Sequence, residues 1–160
     1  MPRWLIILTA AAGLCGCHAA PRLDVQRVRL TDETPAGYAL EFDLEATNTN
    51  EFELPLLTIN YDLFLDGERV FEGRRSGEAT LRREGAQTLT LPAAIPLAEG
   101  ETAPSGVVDY RLRGTMRYLT PGALARSLFD ARLSRPKVIF DHRGQIEFDD
   151  QGTGPDGDPG

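Results

Sequence analysis

The chain has 160 residues, 17 of them basic and 24 acidic, with a net charge of −7 at neutral pH and two cysteines. That length suits one domain built around a single core, which needs no disulfide or metal to hold it. The acidic balance speaks against nucleic acid or an anionic membrane surface as a charge-driven partner, because phosphate binding needs a cationic face.

The amino end carries one positive charge in Met-Pro-Arg-Trp, and Leu5 to Leu14, LIILTAAAGL, follows without a charge. A bilayer-spanning helix needs about 20 apolar residues, so this run is too short to span and has instead the order of a secretory signal. Both cysteines stand directly after it, in Leu14-Cys15-Gly16-Cys17-His18. As residue types they admit a metal pair completed by histidine, a Cys15 to Cys17 disulfide, an uncleaved anchor or a processing signal.

Leu14-Cys15-Gly16-Cys17 resembles the lipobox of bacterial lipoproteins, although Cys15 stands where Ala, Ser or Thr is more usual. The resemblance implies that the thiol of Cys17 receives a diacylglycerol thioether and that Cys17 becomes the mature amino terminus. Residues 1–16 are then a signal peptide, 17–22 a tether, and Cys17 the lipid attachment site. A single acyl chain holds a protein only marginally, at about 0.8 kcal/mol per buried methylene, whereas dual or triple acylation holds it for good. His18 replaces the Asp that favours inner-membrane retention in such lipoproteins, which implies an outer-membrane protein facing the periplasm.

Alternation of apolar and polar residues then runs to Phe148. Val25, Val28 and Leu30 fit a first strand with an irregularity near Gln26, and Pro35-Ala36-Gly37 reads as a turn. Tyr38, Leu40, Phe42, Leu44 and Ala46 alternate strictly, as do Leu57, Ile59, Tyr61, Leu63 and Leu65. Asp66-Gly67 follows and predicts a type I′ hairpin into ERVFEG, since both central positions need positive φ. EATLR and QTLTLPAAIPL read as shorter strands, the prolines marking an edge or a strand end, and AEGETAPSG as a polar loop.

Val108, Tyr110, Leu112, Gly114, Met116 and Tyr118 predict another long strand, with Gly114 at a bulge or close approach. The period then changes: Thr120 can cap a helix, Pro121 suits its first position, and Leu124, Leu128 and Phe129 share a face before Ser134-Arg135-Pro136. KVIFD and QIEFD are expected to close the sheet across a turn from Asp141 to Gly144. Roughly eight strands at this spacing predict an all-β antiparallel sandwich over residues 23–148, with a closed barrel as the alternative. The stretch 149–160, DDQGTGPDGDPG, has no apolar face to bury and is expected to be disordered and acidic.

For chemistry the mature chain is poor. His142 lies in DHRG and reads as a turn histidine ahead of a general base. Asp149, Asp150, Asp156 and Asp158 lack the closing Glu of a calcium loop, and no phosphate loop, nucleophile elbow or metalloprotease helix is present. No catalytic residue, cofactor or metal is expected.

The run Phe42 to Asn60, FDLEATNTNEFELPLLTIN, places Asn48 and Asn50 at a strand end before Leu54-Pro55. With Tyr61, Gly67, Gly73, TLTLP, Tyr110, Arg111 to Gly114 and the closing RGQIEF, it resembles the group-2 late embryogenesis abundant, or water stress and hypersensitive response, domain. Thr49 replaces the central proline of that family's Asn-Pro-Asn, and the Thr120 to Pro136 insert is long. The resemblance implies an immunoglobulin- or fibronectin-like sandwich, here with one short helix insert, a link to desiccation stress, and no catalytic residues. The expectation is thus a non-catalytic envelope lipoprotein, bound to membrane through Cys17, that binds or protects under stress. The alternative is a structural or assembly lipoprotein that takes a protein partner along a sheet edge.

Overall fold

The computed structural model describes residues 18–34, 36–101, 104–122, 130–131 and 136–148. Among them eight strands succeed one another: β1 (Arg22–Thr34), β2 (Gly37–Asn48), β3 (Leu54–Leu65), β4 (Glu68–Ser76), β5 (Thr80–Leu81), β6 (Gly85–Pro96), β7 (Gly106–Tyr118) and β8 (Lys137–Phe148). They form two antiparallel sheets, a smaller one in the order β1-β2-β6 and a larger one in the order β4-β3-β7-β8, with β5 beside the start of β3. The sheets stay separate, so no barrel closes.

Strict alternation decides which faces meet. Leu40, Phe42, Leu44 and Ala46 of β2 are buried, as are Ile59, Tyr61, Leu63 and Leu65 of β3 and Val108, Tyr110, Leu112 and Met116 of β7. Each large apolar side chain so removed from water contributes on the order of 1.5–3 kcal/mol, and period two sends the intervening residues outward. Across the core Phe42 meets Tyr110 with ring centroids 5.6 Å apart, and Tyr38 meets Phe148 edge-on at 5.3 Å. The Tyr61 hydroxyl crosses from the larger sheet to donate to the Pro92 carbonyl oxygen at 2.5 Å.

Local chemistry accounts for several irregularities. The ladder between β1 and β2 slips between Val25 and Arg27, so Gln26 is the extra residue of a bulge, and it slips again between Leu30 and Asp32. Asp66 at φ +47° and Gly67 at φ +88° make the predicted left-handed pair between β3 and β4. Pro92 and Pro96 lie in β6, which pairs only with β2, an edge position where a missing N–H leaves the ladder intact.

Three expectations are corrected. Residues 137–148 form one strand, not two across a turn: the ladder runs unbroken from Arg117 opposite Lys137 to Gly106 opposite Phe148. Gly144 lies inside it because the Tyr110 ring occupies the space its Cβ would need. Of EATLR only Thr80–Leu81 is strand. Pro121 does not open a helix, since Gly122 beside it has φ +117°; Asp130 is helical, while Leu124, Leu128 and Phe129 lie outside the described residues. The signal peptide, Cys17 and the stretch 149–160 also lie outside them.

Candidate functional site

The strands run between two ends of the molecule. One end gathers His18 to Pro21, the 49–53 link, the β4–β6 connection and the stretch after β7; the other gathers the β1–β2 turn, Asp66-Gly67 and the 97–105 loop. At the first end β2 finishes in Asn48, which is fully buried, and the chain returns through Asn50, 8% exposed; these are the buried polar residues of the described chain.

Their amides are spent on the backbone around them. Asn48 Nδ2 donates to Phe52 O at 2.8 Å and to Arg82 O at 3.0 Å. Asn48 Oδ1 accepts from Asn50 N at 3.0 Å and from Asn50 Nδ2 at 2.8 Å. All four hydrogen-bonding positions of Asn48 are thereby filled, the condition for burying a primary amide without cost. Asn50 reaches the other way: Nδ2 donates to Ala19 O and Oδ1 accepts from Ala19 N, both at 2.9 Å. The described part of the 17–22 tether is therefore gripped at Ala19, with Pro21 fully buried behind it and the His18 ring edge-on to Phe52 at 4.9 Å. Thr49 is exposed between the two asparagines, so proline is not required there.

The remaining motif residues also serve packing. Tyr61 lies opposite both Gly73 and Gly114, Tyr110 lies opposite Gly144, and Phe140 opposite Gly114. A Cβ at Gly73 would strike the Tyr61 and Phe71 rings, and one at Gly114 would strike the Phe140 ring and the Asn60 carbonyl. Aromatic rings over cross-strand glycines tie the larger sheet together. Burial pushes the Tyr61 phenol above its ordinary value of 10.0 against an opposing pull from Arg75, so it remains a neutral donor to Pro92. His142 belongs to β8, half-buried and stacked on the Tyr110 ring at 5.9 Å, and not to a turn.

A shallow groove of about 860 Å³ lies along the larger sheet, with Asp62, Glu72, Arg74, Arg111, Arg113 and Asp141 on its lining. Its carboxylates are held by arginines, Glu72 by Arg69 at 3.1 Å. Arg111 holds Asp141 through two hydrogen bonds, one from Nε at 2.8 Å, and keeps that carboxyl below its ordinary 3.8. Asp62 faces Arg113 at 3.5 Å and Arg69 at 3.6 Å. No unpartnered buried side-chain polar atom, and no group of three or more metal-binding side chains, occurs among the described residues. Nor is any helix among them long and apolar enough to cross a membrane.

The described residues thus form a two-sheet β domain whose motif residues are bound up in packing and clamping. The LEA_2 family model, described as late embryogenesis abundant protein, matches residues 43–129, and the chain belongs to that family. It is similar to the solution structure of a late embryogenesis abundant protein, with TM-score 0.63 and 16% identity over 82% of this chain and 73% of that one. A solution structure from Arabidopsis thaliana gives TM-score 0.60 and 16% identity over 80% and 82% of the two chains. A crystal structure of a protein from Archaeoglobus fulgidus gives TM-score 0.53 and 12% identity over 79% and 98%. At these identities the likeness is one of fold. No curated protein matches the sequence.

The asparagine pair was visible in the sequence as a strand end. Its partners Ala19 and Arg82 were not, because they lie 31 and 34 residues from the side chains they meet.

Proposed function

We propose that the protein is a lipid-anchored, non-catalytic envelope lipoprotein that acts as a binding or protective module under water stress. Family membership over residues 43–129 carries the stress reading. The lipobox-like Leu14-Cys15-Gly16-Cys17 supports anchorage through Cys17, and His18 in place of Asp supports the outer membrane, facing the periplasm. The order β1-β2-β6 against β4-β3-β7-β8 supports a fibronectin-like sandwich of the immunoglobulin class. With the groove's carboxylates paired to arginines, protection works through surface contact and not turnover.

The test is survival after drying of a strain lacking the gene, complemented by wild type or by Cys17→Ser. Wild type should restore survival and the variant should not; full rescue by a soluble Cys17→Ser protein overturns the anchored reading, and unchanged survival of the deletion strain overturns the stress reading.

The long β8 edge favours a second reading, an assembly lipoprotein that takes a partner strand there. Among the described residues the twelve of β8 pair with β7 and with no strand on the other side. Crosslinking from intact envelopes should then join a protein partner to β8, and its absence there removes this reading.

A further inference from the structure

The grip on Ala19 lies two residues from Cys17. Consecutive Cα atoms are about 3.8 Å apart across a trans peptide, so the α-carbon of Cys17 stands within roughly 8 Å of the residue that Asn50 holds. Four contacts fix the intervening chain to the body: both Ala19 hydrogen bonds, the His18 ring on Phe52, and the burial of Pro21. Asn50 is itself fixed to Asn48, which is bonded to Phe52 and Arg82, so the grip is continuous with the end of β2 and the chain entering β3 and β6.

We propose that the Asn48–Asn50 clamp seats the domain on the lipid surface, with the Thr49 end toward the headgroups and the Asp66-Gly67 end away from them. The inference rests on Cys17 being lipidated; it adds that the body is held close and in one orientation, where a free tether would let it tumble. The lipid does the holding and the asparagines set the pose. Among the described residues the end that carries them brings Glu51, Glu53, Glu78 and Glu84 together with Arg22, Arg82, Arg83, Arg117 and Lys137, charges of both signs. The covalent link and the clamp set the orientation, and the basic residues at this end are compatible with headgroups beside it. It leaves the outer faces of both sheets and the β8 edge standing off the membrane and open sideways.

The test uses the full chain, processed and membrane-bound in cells. Both native cysteines fall within the signal and the lipid site, so a single introduced cysteine can be labelled alone. A fluorophore at Thr49→Cys is compared with one at Glu68→Cys, using a quencher carried on phospholipid headgroups. The two positions are separated by the length of β3, which at about 3.3 Å per residue is roughly 40 Å, and quenching should be at least about threefold greater at Thr49→Cys. Asn50→Ala should bring the two signals toward equality. A flexible Gly-Ser insert between Cys17 and His18, which leaves every folded contact in place, should do the same.

Equal quenching in acylated wild type overturns the orientation and leaves the anchor standing. A contrast that survives both Asn50→Ala and the insert overturns the clamp as its cause. Mass spectrometry that finds Cys17 unmodified in the membrane material overturns the anchor itself.

Discussion

The two ends of the molecule turn the chain by opposite means. At the Asp66-Gly67 end the reversal is local: two residues take left-handed backbone angles, and Leu65 pairs at once with Glu68, a bulge at Val70 following two pairs later. At the Asn48–Asn50 end buried amides knit together three stretches of chain, at Ala19, 48–52 and Arg82, that local sequence does not bring together. A local turn can be rebuilt by any pair tolerant of positive φ. A saturated buried amide has no substitute, because every replacement leaves carbonyl or N–H groups without partners.

The sharpest way to break the comparison is Asn48→Ala. It strands the Phe52 and Arg82 carbonyls and the Asn50 amide, and should cost about 3 kcal/mol in denaturant unfolding. Asn48→Asp keeps the shape but donates nothing, and should do no better. Gly114→Ala, midway between the ends, should cost about 2 kcal/mol by driving a methyl into the Phe140 ring and the Asn60 carbonyl. At the opposite end Gly67→Ala meets open space and pays only for its φ of +88°, about 1 kcal/mol, whereas Gly67→Asn should be nearly neutral. An Asn48→Ala cost no larger than that of Gly67→Ala would erase the distinction between the ends.

The smallest effect belongs to the exposed pair on the larger sheet. Arg111 lowers the Asp141 carboxyl, so the pair's stabilisation is present above the ordinary value of 3.8 and fades as pH falls through the depressed one. Asp141→Asn should leave the neutral-pH melting temperature nearly unchanged and slightly flatten the acid limb of the stability curve. A marked loss at neutral pH and high salt would show that the pair does more than an exposed ion pair can.

What the sequence made legible was what local chemistry decides. Strict alternation placed Leu40 to Ala46 and Ile59 to Leu65 on inward faces, but not Leu57, which falls at a register slip against β7 while Leu56 takes the buried place; the break in alternation at Gln26 marked a bulge, and Asp66-Gly67 marked a hairpin. The failures share one cause. Asp141 to Gly144 carries turn residues, yet the glycine is there to clear a ring on the neighbouring strand, a demand set by Tyr110 some thirty residues earlier. Asn48 and Asn50 likewise have turn chemistry, and their true partners are distant in the chain. Asn and Gly serve local and long-range needs with the same side chain, so residue type alone cannot tell the two apart.

The sheet edges carry a consequence of their own. Two register slips interrupt β1, two prolines remove donors from β6, and Arg75 of β4 is tied to the Thr90 carbonyl of β6. Among the long edge strands of the described residues β8 runs its full length without a slip or a proline. A molecule with two open edges can add copies without end as its solution concentrates. Where one edge is regular and the others are blunted, a copy paired along β8 meets a poor template for the next, which works against fibre growth as the solution concentrates.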